Sequence, residues 1–391
     1  MLVRPVKLDL PGGIIFGWLF TAELPNAPHR KNTIMLVSSS LVEVPTVNRL
    51  VELWSNRYLP SLSTLSLGHS ATAHDDLRYA SSAKGRAQTV EKLRSQPIDK
   101  SCRLAAIRVK DLYTSLPETL DFGEVKRLAD AATDVYLKLL EVYQDSLPIH
   151  ISSTEQLQAT YGESALSAWG MPKIEKLADQ LEPLLLEFQE KHRISKDWRT
   201  LGFITTQINF SNALLLDVLS PAEKVLITPY FKFLEEQVAL PLKRLCSAAA
   251  KHDLSSPEFA LVAQMLPLTQ EISTAVNARL IKSFPNYCSR RGKLRDSAVQ
   301  HSCLRDLEMF QVYLWLCVLQ GSLAVVEHEL VALCIMVLES VGISWAIASK
   351  WNEILMDEVL IRVDSHHQSL LEPYAKGIVK AFACDRTPVR I

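Results

Sequence analysis

Apolar residues recur at steps of three and four along most of this chain, which is the spacing a helix with one buried face requires. Val125, Leu128, Ala132, Val135, Leu139 and Val142 predict a helix over Glu124–Gln144. Leu177, Leu181, Leu184, Leu185, Leu186 and Phe188 predict a second over Met171–Lys191. Leu201–Leu219 reads as a third, largely buried one. Ser220-Pro221-Ala222-Glu223 then forms a capping box: the Ser hydroxyl accepts the third helical amide, Glu223 reaches back, and proline suits the first helical position. The helix it opens should run to about Gln237. Ser256-Pro257 opens another by the same logic, Pro267 interrupts, and Leu268–Phe284 continues. Asn286–Asp296 is basic and turn-like. Cys303–Leu319 is apolar on nearly every side, the mark of a central buried helix, and Gln320-Gly321-Ser322 closes it. Val325–Val341, Ser344–Arg362 and Leu370–Ala383 complete the helical tail.

The first hundred residues follow a different pattern. Gly12–Trp18 and Thr33–Leu41 lean toward short β-strands, Pro45–Trp54 toward a helix, and residues 60–90 carry many Ser, Ala and His with no clear period, so they read as loop. The expected fold is mainly α. A small mixed α/β or irregular region covers 1–100, a helical domain 101–218, and a further helical domain 219–391.

Composition narrows the function classes. Lys and Arg total 42 against 43 Asp and Glu, a net charge of -1, so no global field draws the chain to nucleic acid or an anionic membrane. Gly is scarce at 13, and no phosphate-cradling glycine loop is present. The seven cysteines include no C-x-x-C pair, which argues for reduced thiols in a cytoplasmic compartment rather than a disulfide framework or zinc site. The N-terminus does not read as a signal peptide. No apolar run approaches the roughly 20 residues that span a bilayer, so a soluble protein is expected. His366-His367 is no metal pair, because adjacent helical residues do not share a face.

Cys303-Leu304-Arg305-Asp306 heads the central helix, and Gly321 closes that helix at the spacing expected of a small-residue turn. This C-x-R-D motif, its distance to the glycine and the order of the flanking helices resemble a phycobiliprotein subunit, the globin-like light-harvesting fold. The likeness covers 219–391 only. It implies that Cys303 carries a bilin, phycocyanobilin-like, through a thioether. It also implies that Asp306 accepts from the pyrrole N–H groups, that Arg305 and Arg291 take propionates, and that Tyr230, Phe231 and Leu234 face a partner subunit. A thiol at the head of a helix would have a lowered pKa. The same residues also have a plainer reading: a small core cysteine followed by solvated capping charges.

What the resemblance implies for function is a phycobilisome-associated, non-enzymatic protein. It would bind a bilin, dock on phycobiliprotein subunits, or both, in an assembly, linker or regulatory role, as a homo- or hetero-oligomer at the cytoplasmic face of the thylakoid membrane. Two rivals stand beside it: a globin-like sensor or adaptor without bilin, and a bilin-handling enzyme such as an attachment lyase, for which no general acid and base pair can be named.

Overall fold

Where the apolar period is long the chain is helical, and the caps lie where the sequence puts them. The computed structural model describes residues 44–61, 71–113, 122–146, 163–191 and 199–383; the strands expected over Gly12–Trp18 and Thr33–Leu41 lie outside them. The first part holds α1 (Pro45–Ser55), α2 (Ala71–Ser81), α3 (Ala83–Arg94), α4 (Pro97–Leu112), α5 (Phe122–Asp145), α6 (Glu163–Ala168), α7 (Ile174–Lys191) and α8 (Arg199–Asp217). The second part holds α9 (Pro221–Ala239), α10 (Leu242–Ala249), α11 (Pro257–Met265), α12 (Thr269–Ser283), α13 (Ser297–Gln320), α14 (Val331–Val341), α15 (Trp345–Arg362) and α16 (Ser365–Ala381). Among the described residues strand pairing is confined to a hairpin, β1 (Cys288–Ser289) with β2 (Gly292–Lys293).

Two helix groups share one apolar core that runs from Val47 to Phe382. In the first, α4 packs on α5 and α8, and α5 on α7. In the second, α10, α11, α12 and α16 surround α13, whose residues from Leu307 to Leu319 are all buried. Helix α9 runs between the groups and touches α8, α2, α5 and α13. No described helix is long and apolar enough to cross a membrane.

The local signals hold in detail. Ser220 Oγ accepts from the Glu223 amide at 3.4 Å, and Glu223 Oε2 accepts from the Ser220 amide at 2.7 Å. Gly321 ends α13 in the left-handed region at φ 63°, with the Ser322 amide bonded back to Cys317 O at 3.1 Å. Gly342 ends α14 in the same way at φ 73°. Only glycine takes this conformation without a steric cost.

Two expectations fail. Part of the stretch read as loop over 60–90 is two helices, α2 and α3. Their buried face mixes Leu77, Ala80, Val90 and Leu93 with Arg86 and Thr89, so no apolar period is visible. Arg86 is fully buried and acts as a cation at helix ends. Its guanidinium donates to Tyr143 O at the end of α5 and to Trp169 O beyond α6, both at 2.8 Å, and lies 4.4 Å from the centre of the Tyr143 ring. Orphan helix-terminal carbonyls carry partial negative charge and favour such a donor. The second failure is the start of the central helix. It begins at Ser297, about two turns before Cys303, because its opening turns are polar and exposed and carry no apolar signal.

Replacing Arg86 with Met should strand both carbonyls. Each orphaned acceptor costs roughly 1–3 kcal/mol, so the loss should reach at least about 2 kcal/mol. Equilibrium urea unfolding against wild type measures it, and an unchanged midpoint would refute the role.

Candidate functional site

Glu235 and Glu236 interrupt the apolar run of α9, and both are buried. Successive helical residues point about 100° apart, so the two carboxylates meet different neighbours. Glu235 faces α8 and α13. It accepts from Asn209 Nδ2 at 3.0 Å, Asn212 Nδ2 at 3.3 Å and Arg305 Nη1 at 3.3 Å, and lies 3.0 Å from His301 Nε2. Burial pushes this carboxyl up, but His301, Arg305 and Asn209 outweigh it and hold the pKa down at about 2. The hydrogen bond to Glu235, with its charge, raises His301 above its ordinary 6.5.

Glu236 faces α1 and the 3-10 turn Asn56–Tyr58 that follows it. Tyr58 Oη donates to it at 2.7 Å, Arg57 Nη2 at 2.8 Å and Trp54 Nε1 at 3.2 Å. Arg57 also pairs with Glu308 on α13, and its guanidinium stacks 3.9 Å from the centre of the Trp54 ring. Against burial, Arg57 and Lys232 hold Glu236 below the usual carboxylate range, whereas burial pushes Glu308 above it.

Beside the Glu235 cluster lies a cleft. Its walls are Tyr113, the Gly202–Thr206 turn of α8, Asp306, Met309 and Phe310 of α13, Cys334 and Val337 of α14, and Trp351 and Asn352 of α15. Its cavity volume is about 60 Å³, a narrow space partly open to solvent. Phe310 and Trp351 stack at 6.2 Å between centroids. Trp351 Nε1 and Asn352 Oδ1 are buried and have no hydrogen-bond partner among the described residues.

The expected site residues come together only in part. Arg305 and Asp306 both line the cleft. They are engaged with each other, since Asp306 Oδ1 accepts from Arg305 Nε at 3.0 Å and Nη2 at 2.6 Å, and Arg305 also bridges to Glu235. Arg291 lies on the hairpin and donates to Ser302 Oγ at 2.8 Å and to Asn209 Oδ1 at 3.2 Å; it is not a cleft residue. Cys303 is buried and is not among the residues lining the cleft. The thiol activation expected of a helix head is corrected. Cys303 sits in the second turn of α13, where burial, and then the charge of Asp306, push the thiol up to about 12. The face expected between subunits is corrected too. Tyr230, Phe231 and Leu234 are buried within this chain. Tyr230 donates to Gly170 O at 2.6 Å and packs edge-on against Tyr143, and Phe231 packs edge-on against Tyr136.

A thioether-bound bilin does not fit this arrangement. Its thiol is shut away and protonated, and the carboxylate and guanidinium it would use already serve each other. Sequence reasoning missed Glu235, Glu236, Arg57 and the α8 wall of the cleft. The one available signal was a pair of adjacent acids inside the mostly apolar stretch from Val225 to Leu240.

Residues 256–382 match the family model described as Phycobilisome protein. The matched span opens at the Ser256 cap and takes in α11 to α16, leaving α1 to α10 outside. No curated protein and no solved structure matches the chain.

Two predictions follow from the geometry. Under native conditions at neutral pH, a thiol reagent should label exposed Cys288 well before Cys303, and peptide mapping by mass spectrometry reads the order; equal labelling would contradict the burial of Cys303. The second concerns pH. The raised His301 contributes stability that is lost as pH rises through its folded pKa, above 6.5. The depressed Glu235 contributes stability that is lost as pH falls from 4.5 toward about 2. The stability difference between wild type and His301→Gln should therefore be largest between about pH 4.5 and 6.5 and shrink as pH rises through the raised His301 value. It should also shrink with salt, because the His301 side chain is 58% exposed. A difference that is flat with pH would remove the ion pair.

Proposed function

We propose that this chain is an assembly, linker or regulatory component of the phycobilisome, which docks on phycobiliprotein subunits and carries no covalent pigment. The family match over residues 256–382 supports the phycobilisome side of this reading. The observation that turns it from pigment carriage to docking is the buried Cys303, together with Arg305, which ties α13 to Glu235 outside the match. In this reading the chain works with the phycobilisome at the cytoplasmic face of the thylakoid membrane, and its chemistry is recognition rather than catalysis.

One observation favours a second reading, the sensor or adaptor. The cleft beside Asp306 is largely apolar, has aromatic walls, and holds in its Trp351–Asn352 wall two polar atoms without a partner among the described residues. A small non-covalent ligand would suit it, and its binding would bear on α8.

The test is co-production with bilin-making enzymes, followed by a denaturing gel read by zinc-enhanced fluorescence and by sedimentation of the native chain with purified phycobiliprotein trimers. Co-sedimentation with a colourless band is the expected outcome. A fluorescent band that disappears in Cys303→Ala would restore covalent pigment carriage, and absence of co-sedimentation would remove the docking role.

A further inference from the structure

Among the described residues seven large apolar side chains stand exposed; two of them, Leu104 and Ile107, lie on the outer face of α4, and a third, Phe122 at the head of α5, is in contact with Lys110 in the last turn of α4. One exposed aliphatic residue needs no explanation; the grouping does. The inner face of α4 already buries Ile98, Cys102, Ala105, Ala106 and Val109 against α5 and α8. A surface helix needs only that one apolar stripe for folding, so Leu104 and Ile107 do nothing for the core.

The strip is also basic, on a chain whose net charge is -1. Lys100, Arg103, Arg108 and Lys110 lie along it, against Asp99 and Asp111. Arg103 is paired with Asp99 at 2.8 Å, whereas Lys100 and Arg108 have no ion-pair partner among the described residues. Lys110 Nζ sits 3.5 Å from the centre of the Phe122 ring and so holds an exposed aromatic beside the last turn of the helix. An ordered aromatic and two aliphatic side chains, rimmed by cations lacking acids, have the composition of an interface centre with a charged border.

We propose that this face of α4, with Leu104, Ile107 and Phe122 rimmed by Lys100, Arg108 and Lys110, is where the chain docks on an acidic face of a phycobiliprotein subunit. The proposal rests on the docking role put forward above and names its surface. Charge complementarity selects the partner. Carboxylates opposite Lys100 and Arg108 would supply the missing acids, and apolar side chains would cover Ile107 and Phe122. A nucleic acid backbone offers anionic groups but no apolar side chains to cover Ile107 and Phe122, whereas a protein face can present both.

The test uses the full chain and purified phycobiliprotein trimers, with binding followed by sedimentation velocity. The double variants Leu104→Ser/Ile107→Ser and Lys100→Glu/Arg108→Glu should each weaken binding about tenfold or more, and salt raised from about 0.05 to 0.5 M should weaken wild type in the same direction. Arg108→Lys should bind nearly as wild type, and Ile361→Glu, at an exposed position on α15, should have no effect. Unchanged melting curves establish that the variants are folded; all the altered positions are at the surface. If wild type binds and both double variants bind equally well, the face is wrong while the docking role stands. If wild type fails to bind the trimers, both are wrong. Binding to phosphatidylglycerol-containing vesicles but not to trimers would overturn the proposal in favour of a lipid surface.

Discussion

Two adjacent carboxylates buried in one helix set the arrangement of everything around them. A buried carboxylate is tolerable only where donors surround it, because the cost of leaving water is otherwise several kcal/mol or more. Glu235 finds its donors on α8 and α13, and Glu236 finds its own on α1 and the turn after it. The donors to Glu236 come from residues about 180 positions earlier in the chain, and Arg57 continues past Glu236 to Glu308 on α13. The two helix groups therefore cannot move apart without stranding charge. Such pairs add little net stability compared with an apolar core of the same volume. What they add here is register, since α9 can be rotated neither way without aiming an acid at apolar neighbours.

The same constraint shapes the cleft. Arg305 is held between Glu235 and Asp306, so the side chains that a pigment would recruit are used internally. The α8 wall stands where it does because Asn209 and Asn212 of that helix are ligated by Glu235. Cys303 is buried too, and its thiol is pushed up for the reason any buried acid is: the charged form loses its water. The span that matches the phycobilisome family model is thus tied, through Arg305 and Glu235, to helices that lie outside the match.

Much of this was legible in the residues, and the exceptions have physical causes. The Ser220 box and the glycines that end α13 and α14 act through local geometry, so a few neighbouring residues suffice to reveal them. The long periods of α5, α7 and α8 were equally plain. Helices α2 and α3 were hidden because a buried arginine, satisfied by carbonyls from distant segments, sits where an apolar residue would be expected. The start of α13 was hidden because its opening turns are solvated. Tyr230, Phe231 and Leu234 form an apolar face, and the resemblance placed a partner subunit against it. Which surface covers it is a tertiary fact, and here the chain itself supplies it. Glu235 and Glu236 could be seen as odd, but their donors could not be named, since the partners lie tens to hundreds of residues away.

If the two helix groups form one cooperative unit joined through α9, their slowest-exchanging amides should open together. Native-state hydrogen exchange on wild type and Glu236→Gln measures this directly. The predicted result is a shared opening free energy for α4, α5 and α13, lowered by the same amount in all three by the substitution. A loss of protection confined to α1 and its turn, with α13 and α5 unchanged, would contradict the account.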